Sequence, residues 1–142
     1  YYKEEKYEYD YVGDFLNTYN FTHKKVLEIG CGTGEFSSYI PQSEYCGLEF
    51  STDAITRARS KGRNIRPQSI EDHSLQFKDY YDVVCSFQVL EHVKDPKSFI
   101  NSCLYSLKPG GTLILTTPSE DSWIGHKQNF CLKNFVIFLE YL

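Results

Sequence analysis

Methionine is absent from all 142 residues. With a tyrosine at position 1, either the chain is a fragment or its methionines were lost when the sequence was read. No apolar stretch reaches membrane-spanning length, which argues against a transmembrane helix. No signal-peptide pattern opens the chain, so a cytoplasmic location is expected. A basic run is also missing, and the formal net charge is −4, which disfavours nucleic acid as a partner. The five cysteines (31, 46, 85, 103, 131) form no C-x-x-C pair, and the four histidines show no metal-ligand spacing. Neither a redox pair nor a metal site is expected. Three of those cysteines fall in or beside apolar strand-like runs, so buried reduced thiols are the expectation. What remains is a single domain over 1–142, long enough for a core but short for an α/β enzyme.

The most informative stretch is Val26-Leu-Glu-Ile-Gly-Cys-Gly-Thr-Gly34. An apolar, β-branched run ends abruptly in glycines at alternate positions, which reads as a buried strand entering a tight turn. Phe36, Tyr39 and Ile40 then fall on one face of a helix. Glycine reaches backbone angles other residues avoid, and its missing side chain lets a ligand touch the main chain. The following helix N-terminus adds unpaired N–H groups. A dinucleotide fingerprint would need glycine at position 35. Glu35 stands there and would aim a carboxylate at any pyrophosphate. A P-loop fails as well, because no Gly-Lys-Ser/Thr follows.

Downstream, Glu44 to Phe50 reads as a second strand, and a short helix between two strands makes them parallel. Glu49 lies 19 positions after Gly30, near the spacing at which a strand-end carboxylate meets a ribose diol. Two neighbouring hydroxyls can donate to one carboxylate, and Phe50 is placed to pack on an adenine face. Ser51 and Asp53 start a helix that Gly62 stops. Asn64–Arg66 reads as a short strand, with a loop over 68–72. Tyr80–Ser86 is a fourth strand. Asp95 and Pro96 open a helix with the buried stripe Phe99, Ile100, Cys103, Leu104 and Leu107. Lys108–Gly111 reads as a turn before a fifth strand, Thr112–Thr117. Residues 7, 11, 15 and 19 give an aromatic helical face near the start. The tail is apolar at helical spacing: Phe130, Phe135, Ile137, Phe138 and Tyr141.

Four segments carry a resemblance in register: the glycine stretch with Glu28, the strand-end Glu49, Tyr81-Asp-Val-Val-Cys-Ser-Phe-Gln-Val-Leu-Glu-His-Val-Lys-Asp-Pro96, and Leu107-Lys-Pro-Gly-Gly-Thr-Leu113. Together they resemble the class I S-adenosylmethionine-dependent methyltransferases, in the branch containing ubiquinone-pathway O-methyltransferases. The resemblance implies an α/β fold, a Rossmann-like parallel sheet flanked by helices. It implies S-adenosyl-L-methionine as cofactor, S-adenosyl-L-homocysteine as product and a small-molecule acceptor methylated on oxygen or nitrogen. It assigns Glu28, Gly30, Cys31, Gly32, Gly34, Glu49 and Phe50 to the cofactor. Ile70 and Glu71 follow at the adenine end, although Ser69 replaces the family's aspartate there. Phe87 and Gln88 would face the methionine end. His92 is a candidate general base, since histidine is the side chain that intrinsically titrates near neutrality. His126 and Trp123 are candidates on the acceptor side. Family members continue into a further strand and an antiparallel hairpin. Without them, strand five is expected to be an exposed edge, implying truncation, or a homodimer or partner that covers it. A cofactor-binding but non-catalytic subunit is the alternative; a nicotinamide enzyme is disfavoured by Glu35.

Overall fold

The structure, a computed structural model, describes residues 19–116 and the backbone of 137–140. The aromatic face at 7, 11 and 15, together with Trp123, His126 and Cys131, lies outside these residues. Within them the order is β1 (Lys25–Ile29), a 3-10 helix (Glu35–Tyr39), β2 (Glu44–Leu48), α1 (Thr52–Ser60), β3 (Ile65–Arg66) and α2 (Ile70–Gln76). Then come β4 (Tyr81–Phe87), a 3-10 turn (Leu90–His92), α3 (Pro96–Ser106), β5 (Leu107–Thr116) and β6 (Ile137–Glu140). The sheet order is β3-β2-β1-β4-β5-β6. All neighbours are parallel except β5 and β6.

Alternation along the strands explains the layers, because successive side chains point to opposite faces. Leu27, Ile29 and Val84 join Phe99, Cys103 and Ile70 in one core beneath α2 and α3. Val26, Val83, Cys85 and Ile114 join Phe21 and Phe36 on the other face. A smaller cluster of Cys31, Ile55, Ala58 and Ile65 seats α1. Short polar side chains set the helix starts. Ser51 accepts from the Ala54 N–H, Ser69 from Asp72 and Asp95 from Ser98, each satisfying a donor the helix cannot. The order 3-2-1 and then 4-5 reverses between β1 and β4. In open α/β sheets that reversal leaves a crevice at the carboxyl ends of the strands.

Three expectations are corrected. The loop over 68–72 gives way after Ser69 to helix α2, for which Ser69-x-x-Asp72 is a start signal. The expected turn Lys108–Gly111 is an irregular stretch inside β5. Leu107 pairs with Tyr81, and the ladder resumes at Thr112 opposite Val83, with Gly110 at φ 80° absorbing the extra residues. The tail is not helical over its last apolar segment: Ile137–Glu140 runs antiparallel to Thr112–Leu115. Strand five is therefore covered within the chain, and the motive for a partner on that edge disappears. The run Val136-Ile-Phe-Leu139 suits a strand as well as a helix, and the open backbone groups of β5 decide between them.

Candidate functional site

The carboxyl ends of β1, β2 and β4 meet at the reversal. After β1 the chain turns through Gly30, Gly32 and Gly34 at φ 68°, 56° and 73°, a left-handed region that costs other residues strain. The turn is anchored to β2, because the N–H groups of Gly30 and Cys31 both donate to the Leu48 carbonyl. The glycines have different reasons to be glycine. A Cβ on Gly30 would sit 2.5 Å from Cγ2 of Val89, and one on Gly34 would press Ile65 and Arg63 at 3.1 and 3.2 Å. A Cβ on Gly32 would meet nothing within 4 Å. Gly32 therefore borders open space that a ligand could fill.

Glu49 stands beside that space. Its Oε2 accepts from the Gly32 N–H at 2.8 Å, and its Oε1 from the N–H groups of Phe50 and Ser51 at 2.8 and 3.0 Å. A carboxylate oxygen takes about two donors, so Oε1 is filled and Oε2 keeps room for one more. The expected double acceptance from a ribose diol is thus reduced to a single site on Oε2. Phe50 is 69% exposed, an uncovered aromatic residue next to the acid.

Beneath the turn Glu28 is buried, and the Tyr45 hydroxyl donates to its Oε1 at 2.6 Å. Burial, and then the adjacent Glu28 carboxylate, pushes the phenol pKa up, so Tyr45 stays a neutral donor. Glu28 thus ties β1 to β2 just below the turn. Cys31 is buried as well, its Sγ 2.5 Å from where a Gly47 Cβ would stand. Burial, followed by the charges of Glu28 and Glu49, raises its pKa, so the thiol is an inert packing group.

Other expected site residues are redistributed. Phe87 does not face the crevice: period-two alternation puts it with Val83 and Cys85, its ring centroid 5.0 Å from that of Phe36. Ile70 is likewise a core side chain at 1% exposure, since it faces inward from the first turn of α2. Glu71 lines the groove between α2 and α3 with Asp95 and Tyr105. Gln88, at φ 57°, is held to β5: its N–H and side-chain amide both reach Thr116 Oγ1, at 3.1 and 3.3 Å. His92 is 58% exposed, its Nε2 3.7 Å from Oε1 of buried Glu91, a charge-pair distance too long for a hydrogen bond. Tyr45 and Arg63 are contributors that no sequence motif marked, while the contact of Val89 with Gly30 and of Thr116 with Gln88 could not be read from the motifs that contain them. Only their partners across the fold reveal them. Among the described residues, no cluster of His, Cys, Asp and Glu could hold a metal ion, and no helix is long and apolar enough to cross a membrane.

A family profile described as "Methyltransferase domain" matches residues 1–134. The chain belongs to the class I S-adenosylmethionine-dependent methyltransferases. This methyltransferase chain is 36% identical over 107 residues to a ubiquinone biosynthesis O-methyltransferase of Erwinia tasmaniensis, covering 70% of the chain and 44% of the relative. A Cronobacter sakazakii protein of the same name is 33% identical over 111 residues, with 71% and 46% coverage. The chain therefore spans somewhat less than half the length of these relatives. In structure it resembles a SAM-dependent methyltransferase from Archaeoglobus fulgidus (TM-score 0.76, 22% identity, 91% of this chain and 63% of that one). It also resembles a Haloferax volcanii complex of a methyltransferase with the Trm112 methyltransferase activator (TM-score 0.69, 21% identity, 80% and 54%). At these identities the likeness is one of fold.

Proposed function

We propose that this chain binds S-adenosylmethionine at the carboxyl ends of β1, β2 and β4 and supports methyl transfer to a small-molecule acceptor, with oxygen as the favoured atom. One observation carries the reading: the open space over Gly32 lies against a carboxylate with a remaining acceptor position and beside an uncovered aromatic residue. A group with a ribose hydroxyl and an adenine face suits Glu49 Oε2 and Phe50. The main chain at Gly30 and Gly32 lets the rest of it approach closely. Glu28, Cys31 and Gly34 act from beneath by holding the turn. Ile70 and Glu71 can contribute main chain at the adenine end. Gln88, fixed by Thr116, borders the methionine end. When bound, the cofactor supplies a methyl group already made electrophilic by its sulfonium. The chain's share is alignment, which can lower a barrier by about 7–11 kcal/mol. For a hydroxyl acceptor, His92 is the described side chain suited to take the proton, with Glu91 beside it to stabilise the imidazolium. His126 is the second candidate base. Oxygen is favoured by the names of the curated relatives, and a cytoplasmic setting accords with that chemistry.

Calorimetric titration with S-adenosylhomocysteine, with NAD as control, tests the reading. Wild type is expected to bind the first ligand in the micromolar range and not the second. Glu49→Gln should weaken binding at least about tenfold, since an acceptor to a ligand hydroxyl loses its charge. Folded wild type that ignores S-adenosylhomocysteine, or prefers NAD, overturns it. Binding without turnover of any acceptor would place the chain as a non-catalytic subunit.

A further inference from the structure

We infer that Arg63 is a positioning residue for the cofactor turn, setting cofactor affinity without touching the ligand. This rests on the cofactor reading above. The geometry starts at Gly62, whose φ of 75° ends α1. The Arg63 N–H then bonds back to the Ala58 carbonyl at 3.1 Å, which aims the side chain across the sheet edge toward the turn. That side chain is only 13% exposed. Nη1 donates to the Thr33 carbonyl at 2.9 Å, and Nη2 to Glu35 Oε2 at 3.1 Å. Its Cδ lies 3.2 Å from where a Gly34 Cβ would stand. One residue thus touches Thr33, Gly34 and Glu35 in succession.

Glu49 holds the same turn from the other side, through the Gly32 N–H. Both residues flank α1, Glu49 just before it and Arg63 just after. The segment 49–63 is therefore a clamp, with an acceptor at one end and a forked donor at the other. A turn with three glycines at positive φ has much conformational freedom to lose; the bonds of Gly30 and Cys31 to Leu48 fix its start, and the clamp orders the part beyond them. Ordering it beforehand removes that cost from binding. The ion pair also gives Glu35 a partner outside the crevice. Arginine is suited to this because its planar fork serves two acceptors at fixed angles, whereas lysine offers a single point charge.

The test combines calorimetric titration of S-adenosylhomocysteine with amide hydrogen exchange over residues 30–36 of ligand-free protein, on wild type, Arg63→Ala, Arg63→Lys and Glu35→Gln. Arg63→Ala is expected to weaken binding about tenfold and to speed exchange in the turn while β4 and β5 keep wild-type rates. Arg63→Lys should recover part of the loss, and Glu35→Gln should produce a smaller loss of the same kind. If Arg63→Ala does not fold, the lysine and Glu35 variants carry the test. Wild-type affinity in the variants, or faster exchange spread evenly over the sheet, overturns the proposal. If wild type itself fails to bind, the cofactor reading falls. Exchange at 30–36 then still reports whether Arg63 orders the turn.

Discussion

Two glycines two positions apart should respond differently to the same added methyl group. Gly30 combines φ 68° with Val89 only 2.5 Å from its missing Cβ. Strain of about 1–2 kcal/mol adds to an overpacking cost of about 1–3 kcal/mol, so Gly30→Ala should lower stability severely. Gly32 has the same kind of angle but open space around it, so Gly32→Ala should cost only the strain of about 1–2 kcal/mol. Its methyl would instead enter the open space proposed for the cofactor. Thermal unfolding with ligand titration separates the two: Gly30→Ala loses midpoint, Gly32→Ala loses mainly affinity. Equal loss of stability would contradict the open cradle. The glycine pattern is legible in sequence, but which glycine guards packing and which borders open space is not. That depends on Val89, nearly sixty residues away.

At the scale of elements, α2 contains a pH-sensitive feature. His73 is fully buried, with Nδ1 2.9 Å from Gln68 Oε1 and Nε2 2.7 Å from the Tyr81 hydroxyl. The Gln68 carbonyl oxygen needs a donor, so Nδ1 carries the hydrogen and Nε2 accepts from Tyr81. Protonation would destroy that acceptor. Burial, and then the positive Arg66, lowers the His73 pKa to about 4. The unfolded chain takes up its proton near pH 6.5 and the folded one only near 4. Between those values the unfolded state binds more protons, so stability falls as the pH falls. The loss should total about 3 kcal/mol. His73→Asn should be less stable at pH 7 yet show a flatter profile between pH 6.5 and 4, read by denaturant unfolding. An unchanged slope would remove His73 as the cause. The same helix also depends on its cap, and Ser69→Ala should cost about 1 kcal/mol. Helix α2 could be read from Ser69-x-x-Asp72. Its buried histidine could not, because Tyr81 comes from a different element.

Across the whole molecule, the cysteines report how closed the three packed clusters are. Cys31, Cys46, Cys85 and Cys103 are free and buried, and burial is the leading cause that raises each pKa. None should react with an aromatic disulfide reagent at pH 8 in native protein, and all four should react after unfolding. Fast modification of any of them, mapped by mass spectrometry, would show that its layer opens. Cys85 and Cys103 should be the slowest, as both are at 0% exposure. The sheet's edges follow the same logic of closure. One is the two-residue β3, and the other is β6 laid along β5, so no long bare strand remains among the described residues to recruit another chain.

Local chemistry alone determined most of the frame. Apolar runs bounded by glycine and proline placed β1, β2, β4 and β5, and the capping residues Ser51 and Asp95 placed α1 and α3. The motifs in register identified the family, and Glu49 was placed by its distance from Gly30. These follow from short-range geometry: strand period, helix caps and the backbone freedom of glycine. Tertiary structure decided what depends on distant partners. It turned Phe87 and Ile70 inward, because each side chain follows the face of the element that carries it. It brought Tyr45 to Glu28, Thr116 to Gln88 and Arg63 to the glycine turn, pairs set by sheet order. It made a strand of Ile137–Glu140, whose apolar spacing fits either structure, because pairing there satisfies the open backbone groups of β5, which a helix bonded only to itself would leave bare.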